Sequence, residues 1–232
     1  MAARPILALA AVVAGAACER PVDARAIDPS LVAISAQVTV RTDTVGVDRF
    51  ASQATFALVD AQNLGDADAD VTLGGILVDG DGHEVGLLRP ESLRIPAGGK
   101  RTFALVERSR AARPTAVVAR VDLRGARAAR FAPEVTITDG HVYRDGDRAV
   151  VAGQVKNGTD RPCIAMVLAG FHDQDGRPMT RPFAAFELGA NAVRPTRFVG
   201  PDGSRAGYIF VGDITYCPRS GCTVDRVAPK LW

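Results

Sequence analysis

Two stretches of this chain follow one pattern, and that pattern restricts the fold more than any other feature. Ala57–Gly82 reads ALVDAQNLGDADADVTLGGILVDGDG, and Val151–Gly176 reads VAGQVKNGTDRPCIAMVLAGFHDQDG. Asn63 and Asn157 are 94 positions apart, as are Gly82 and Gly176. Each copy runs through an apolar strand, an Asn-containing turn, a longer apolar strand and an Asp-x-Asp-Gly turn. The later strands agree as well, since Leu93 to Phe103 and Leu188 to Phe198 both span 10 positions. Solenoid repeats have periods of roughly 20–50 residues, so a repeat this long is a duplicated domain. A chain of 232 residues has room for two such domains, each able to bury a core.

Short β-rich runs separated by Gly, Asp and Pro turns predict an all-β fold, two tandem Ig-like antiparallel β-sandwiches. In the first copy the strands are expected at 31–40, 53–62, 71–79, 83–88, 100–107 and 115–123. In the second they are expected at 135–142, 148–156, 163–173, 179–188, 194–199 and 206–214. Alternation along the strands puts Ala57, Val59 and Ala61 on one face, matched by Val151, Gly153 and Val155. Val71, Leu73 and Leu77 are matched by Ala165, Val167 and Phe171. The Gly74-Gly75 pair weakens its strand or marks a bulge in it. Asn63 and Asn157 suit a left-handed turn position, and the Asp-x-Asp-Gly runs suit hairpins with Gly at positive φ.

The first residues form a targeting segment: Arg4, an apolar run over Ile6–Ala14 too short to span a bilayer, then Gly15-Ala16-Ala17 and Cys18. This resembles a bacterial lipoprotein signal, with Gly15 where that family usually has Leu or Val. The resemblance implies that Cys18 becomes the lipid-bearing amino terminus. The alternative is a plain secretory signal cleaved after Ala17. Either reading predicts export.

The string AVVAGQVKNGTDRPCIAMVLAGFHDQDG is similar to the FxLYD/DUF3426-type β-sandwich domains of bacterial secreted proteins and lipoproteins. The residues that carry the likeness are Gly153, Val155, Asn157, Phe171, Asp173 and Gly176. It covers 135–214 well and 31–123 more loosely, with Ala61 and Leu77 in place of the Val and the aromatic. The resemblance implies a fold and an address in the bacterial cell envelope, with no catalytic residue. The expected organisation is a signal peptide at 1–17, a tether at 18–30, a first sandwich at 31–124, a connector at 125–132, a second sandwich at 133–216 and a tail at 217–232.

Charge gives no case for nucleic acid, because the formal net charge is only +2. Arg108, Arg110, Arg113, Arg120, Arg124, Arg127 and Arg130 are read as a solvated run rather than a phosphate site. Asp66, Asp68 and Asp70 begin like a calcium loop, but Val71 and Leu77 stand where Gly and Glu are required. His83, His141 and His172 have no ligand spacing, and His172 is expected to point outward beside a turn. A site built from His172 and Cys163 would make the protein a metal carrier or enzyme. The favoured reading assigns no catalytic, cofactor-binding or metal residue.

Once Cys18 is set aside, Cys163, Cys217 and Cys222 remain for an oxidising compartment. Cys217–Cys222 is the preferred pairing, and Cys163 with either one is the alternative. The function expected is that of an envelope-anchored binding or structural module, held by an N-terminal lipid and meeting an envelope protein.

Overall fold

The computed structural model describes residues 25–46, 51–218 and 222. Thirteen strands are found among them: β1 (Val32–Val45), β2 (Ser52–Asn63), β3 (Ala69–Val78), β4 (Glu84–Ile95), β5 (Lys100–Val106), β6 (Val118–Ala128), β7 (Val135–Asp145), β8 (Arg148–Asn157), β9 (Cys163–His172), β10 (Pro178–Thr180), β11 (Phe183–Leu188), β12 (Val193–Val199) and β13 (Ala206–Tyr216). Every pairing is antiparallel. The only helical element described is a 3-10 turn at Pro29–Leu31.

The duplication survives in the topology. The first copy forms the sheets β1-β2-β5 and β4-β3-β6. The second forms β7-β8-β12, and a sheet in which β9 has β13 on one side and β10 and β11 on the other. β4 therefore corresponds to β10 and β11 together. Pro90 leaves β4 continuous but shifts its register between Leu88 and Glu91. Pro182 separates β10 from β11, since a proline has no N–H to give the ladder.

Each sandwich buries the face that alternation assigned to it. Ala57, Val59, Ala61, Val71, Leu73 and Leu77 lie in one apolar cluster, and Val151, Val155, Ala165, Val167 and Phe171 lie in the other. Each fully buried aliphatic of this kind contributes roughly 1.5–3 kcal/mol. The ladder is bulged beside the Gly74-Gly75 pair, on both flanking strands. Gly75 is obligatory there, because a Cβ would stand 2.2 Å from the Arg120 carbonyl oxygen.

The Asn positions act differently from the sequence expectation. Neither Asn63 nor Asn157 has positive φ. Both are buried, and their side chains are hydrogen-bonded staples. Asn63 Nδ2 donates to the carbonyls of Ala67 and Ile95, and Oδ1 accepts from Gly65 N. Asn157 Nδ2 donates to Arg161 and Gly189, and Oδ1 accepts from Thr159 N. The partners too are 94 positions apart, so one device ties the end of the second strand to the loop after the fourth. The Asp-x-Asp-Gly turns do follow their expectation. Asp79 Oδ1 accepts from Asp81 N and His83 N, Asp173 Oδ1 accepts from Asp175 N and Arg177 N, and Gly82 and Gly176 have φ of 88° and 77°.

The expected boundaries shift in two places. β6 runs on through Gly125–Ala128, so the connector occupies 129–134 rather than 125–132. The end of the expected tether is not free chain. Ile27 N donates to Ala126 O, Ala128 N donates to Arg25 O, and Ala26 bridges Arg127, so this segment lies along the edge of β6. The signal segment 1–17, Cys18 and the tail beyond Cys222 lie outside the described residues.

The two sandwiches do not merely follow one another. Every residue of β9 is buried. One of its faces lies in its own core, while Met166 and Leu168 on the other face join the cluster of the first sandwich. β2 is likewise covered on both sides, with Val59 inward and Leu58 and Asp60 toward β9. The four sheets stack in the order β4-β3-β6, β1-β2-β5, the β9 sheet, then β7-β8-β12.

Asn157→Gly tests the staple. A residue chosen for left-handed backbone would tolerate glycine. Here glycine removes the Nδ2 donor from the part-buried Arg161 and Gly189 carbonyls as alanine does, so Asn157→Gly and Asn157→Ala should each cost about 1–3 kcal/mol in urea unfolding.

Candidate functional site

The densest polar chemistry lies between the sandwiches. Asp60 on β2 is 4% exposed and His172 at the end of β9 is 2% exposed. His172 Nε2 donates to Asp60 Oδ2 at 2.9 Å. Thr102 on β5 donates to Asp60 Oδ1 at 2.6 Å, and its hydroxyl meets that of Tyr208 at 2.7 Å. Lys100 Nζ closes the group at 2.9 Å from Asp60 Oδ2, and the His172 and Tyr208 rings stack. The absence of a side chain at Gly170 admits this contact, since a Cβ there would lie 2.6 Å from Thr102 Oγ1.

A second buried ion pair stands beside it. Arg181, from the break between β10 and β11, reaches back to the first sandwich. Its Nη1 lies 2.8 Å from Glu91 Oε1 and donates to Thr102 O at 3.1 Å. Glu91 Oε2 accepts from Ala104 N. Burial pushes the Glu91 carboxyl up, against the opposing pull of Arg181 and the Ala104 N–H. Burial acts on Asp60 the same way. In that case the hydrogen bond and attraction of His172, together with Thr102 and Lys100, outweigh it and hold the group below its ordinary value. Burial and the Asp60 charge raise the Tyr208 phenol.

His172 was expected to face outward beside its turn; it faces the other sandwich instead. The turn begins only at Asp173, and His172 is still in strand register opposite Ala206. Cys163 is nine residues away at the far end of β9, about 30 Å at strand rise, and on the opposite face. The two therefore cannot share a metal ion. Cys163 is a free thiol inside the second core, pushed up by burial. Cys217 and Cys222 are joined by a disulfide. His83 and His141 are exposed and lie in separate places.

Asp79, Asp81 and His83 come close enough together for one ion to reach all three. Asp81 and His83 are exposed and Asp79 is half-buried, Asp79 Oδ1 is already occupied by two backbone N–H groups, and Arg177 replaces His83 in the equivalent turn. The arginine run is dispersed: Arg113 pairs with Glu107, Arg124 pairs with Asp122, and Arg120, Arg124 and Arg127 all lie on β6.

Two of the depressions among the described residues bear on function, and both open to solvent. One, of about 530 Å³, lies on the outward face of the β7-β8-β12 sheet, against Asp139, His141, Ala152, Gln154, Pro195 and Arg197. A register shift between Thr138 and His141, with Asp139 at φ 53°, turns His141 onto this face. The side chains there are held in a chain of contacts. His141 Nδ1 lies 2.9 Å from Asp139 O, its ring stacks on Tyr143, and Arg197 Nε donates to the Tyr143 hydroxyl at 3.0 Å. Arg197 also pairs with Asp145 at 3.5 Å. No signal in the sequence grouped these residues, because the bulge that aligns them has no residue pattern of its own. The other depression, of about 210 Å³, lies beside the domain interface under Pro133.

No family model matches the chain, and no curated protein sequence matches it. Among solved structures it is similar to the N-terminal CBM22-1-CBM22-2 tandem domain from Paenibacillus barcinonensis Xyn10C, at 9% identity and a TM-score of 0.17. That match covers 85% of this chain and 89% of the other. A likeness this slight bears on neither the site nor its chemistry.

The interdomain cluster predicts a specific acid response. A carboxylate held below its ordinary value of 3.8 stabilises the folded state above that pH, and the contribution is lost as pH falls through the depressed value. Asp60→Asn should lower stability at neutral pH. Its gap to the wild type should then narrow below about pH 4 in urea titrations, because the variant has no such proton to take up.

Proposed function

We propose that this protein is an envelope-anchored binding module, held to a membrane by a lipid on Cys18. The two sandwiches, clamped into one body, present the outward β7-β8-β12 face to an envelope protein. The observation that carries this reading is the fixed arrangement of exposed side chains on that face. Long solvated side chains ordinarily sample many rotamers, and holding them costs entropy. His141, Tyr143 and Arg197 are nevertheless tied to each other and to the backbone, the pre-organisation that a recognition surface exploits. Tyr143 is 41% exposed, which leaves its ring edge available to a partner. Tyr and Arg are the residue types that most often anchor such contacts.

The module acts by binding and not by catalysis. The His172–Asp60 pair is the arrangement most like an acid–base couple, and it is closed off from solvent, so no substrate reaches it. The anchor is supported by the run from Arg4 through Ile6–Ala14 to Cys18, and the docked segment at Arg25–Ile27 leaves only residues 19–24 between the lipid and the body.

Two measurements test the reading separately. Cys18→Ser should move the protein from the detergent phase to the aqueous phase on partitioning, and unchanged partitioning removes the anchor. Cross-linking in intact membranes should recover a protein partner with wild type and lose it with Tyr143→Ala plus Arg197→Ala. Equal recovery with that double variant moves the binding surface elsewhere.

A further inference from the structure

The smaller depression holds a cation that has no counter-ion of its own among the described residues. Arg101 on β5 lines it, along with Arg94, Asp68, Thr136 and Phe210. The guanidinium lies over the Phe210 ring, with its carbon 4.8 Å from the centroid, and Nη1 donates to the Lys100 carbonyl at 2.8 Å. Nε is buried and has no hydrogen-bond partner among the described residues. The nearest carboxylate, Asp68, is already engaged. Arg94 meets its Oδ2 at 2.9 Å, and Ala97 N donates to its Oδ1. Two arginines and one aspartate thus line the cleft and leave one positive charge over.

A partly buried guanidinium with an orphaned N–H pays desolvation without recovering it. Burial also disfavours the charged form of Arg101, against the weaker pull of the Asp68 carboxylate. The aromatic platform recovers part of the cost, since cation–π contacts strengthen as water is excluded. A buried arginine of this kind gains most from an oxyanion, which its planar fork can grip with two parallel bonds. The position suits a ligand as well. The cleft is built from both sandwiches and the connector, and small-molecule sites concentrate at such junctions.

We propose that this interdomain cleft is a binding site for a small oxyanion, a carboxylate or phosphate group, with Arg101 as its principal contact and Arg94 as the second. The anion neutralises the excess charge and stabilises the packing of β13 against β5. The site is separate from the outward face of the second sandwich and does not depend on the partner proposed for that face.

The test titrates the exported form, residues 18–232 carrying Cys18→Ser, with inorganic phosphate and separately with acetate, at constant chloride and neutral pH. Calorimetry and the thermal midpoint are both read. Wild type should show saturable binding and a rising midpoint with at least one of the two anions, and the stronger responder identifies the class. Arg101→Gln should weaken that binding about tenfold or more, the loss expected for one charge-assisted pair. Arg148→Gln, which alters a surface arginine paired with Asp202 on the second sandwich, should leave it unchanged. If Arg101→Gln does not fold, Arg101→Lys keeps the charge and stem but loses the fork, and should still bind more weakly than wild type. Equal binding by wild type and the Arg101 variants, or none by wild type with either anion, overturns the site.

Discussion

Burial of β2 and β9 on both faces is the constraint from which the rest of this structure follows. A strand in an ordinary sandwich gives one face to the core and the other to water. Here the two central strands give their second faces to each other, so any polar group there loses its water and needs a partner. Asp60 finds His172, Thr102 and Lys100, and Glu91 finds Arg181 and the Ala104 N–H. Removing one member of such a pair would leave its partner charged and buried. The polar residues therefore fix which way the sandwiches meet, and Met166, Leu168, Leu58 and Phe210 supply the apolar area around them.

The interface is asymmetric, which explains how two copies of one fold came to differ. The first copy contributes its β1-β2-β5 sheet, whereas the second contributes the opposite sheet, built on β9. Equivalent positions consequently have opposite surroundings. Asp60 is buried, while Gln154 at the same place in the second copy is exposed on the outward face. Leu168 packs against the first sandwich, while Gly74 at its equivalent lies under the Arg124 side chain. The break at Pro182 belongs to the same divergence, because it frees Arg181 to leave the sheet and reach Glu91. What the copies still share is what each sandwich needs by itself: the Asn staple, the Asp-x-Asp-Gly turn and the small aliphatic core.

The elements that hold a single sandwich together were legible because they are local. Alternation of Ala57, Val59 and Ala61 and the glycines at the hairpins act within a few residues, and the expected strands match the observed ones apart from their ends and two cases: 83–88 runs on to Ile95, and Pro182 divides 179–188 into β10 and β11. The Asn63 and Asn157 positions were found, yet their role was misread. A left-handed turn and a buried staple favour the same residue, and only the loop after the fourth strand, about thirty positions on, tells them apart. The strand end at Ala128 was missed because Gly125 and the arginines read as connector, although Gly125 sits in a bulge and the arginines alternate outward on a solvent-facing strand.

His172 is the clearest case of what sequence leaves undecided. Its place beside a turn suggests solvent, and nothing nearby identifies Asp60, 112 positions earlier, as its partner. The open face of the second sandwich is the same kind of case, since His141, Tyr143 and Arg197 are grouped by a bulge and a strand pairing. The sequence by itself determined two all-β units, their strand order and their turns, because periodicity and turn chemistry act over short range. Only the tertiary structure decided which faces those units turn toward each other, because burying a second face depends on complementarity between surfaces that are remote in the chain.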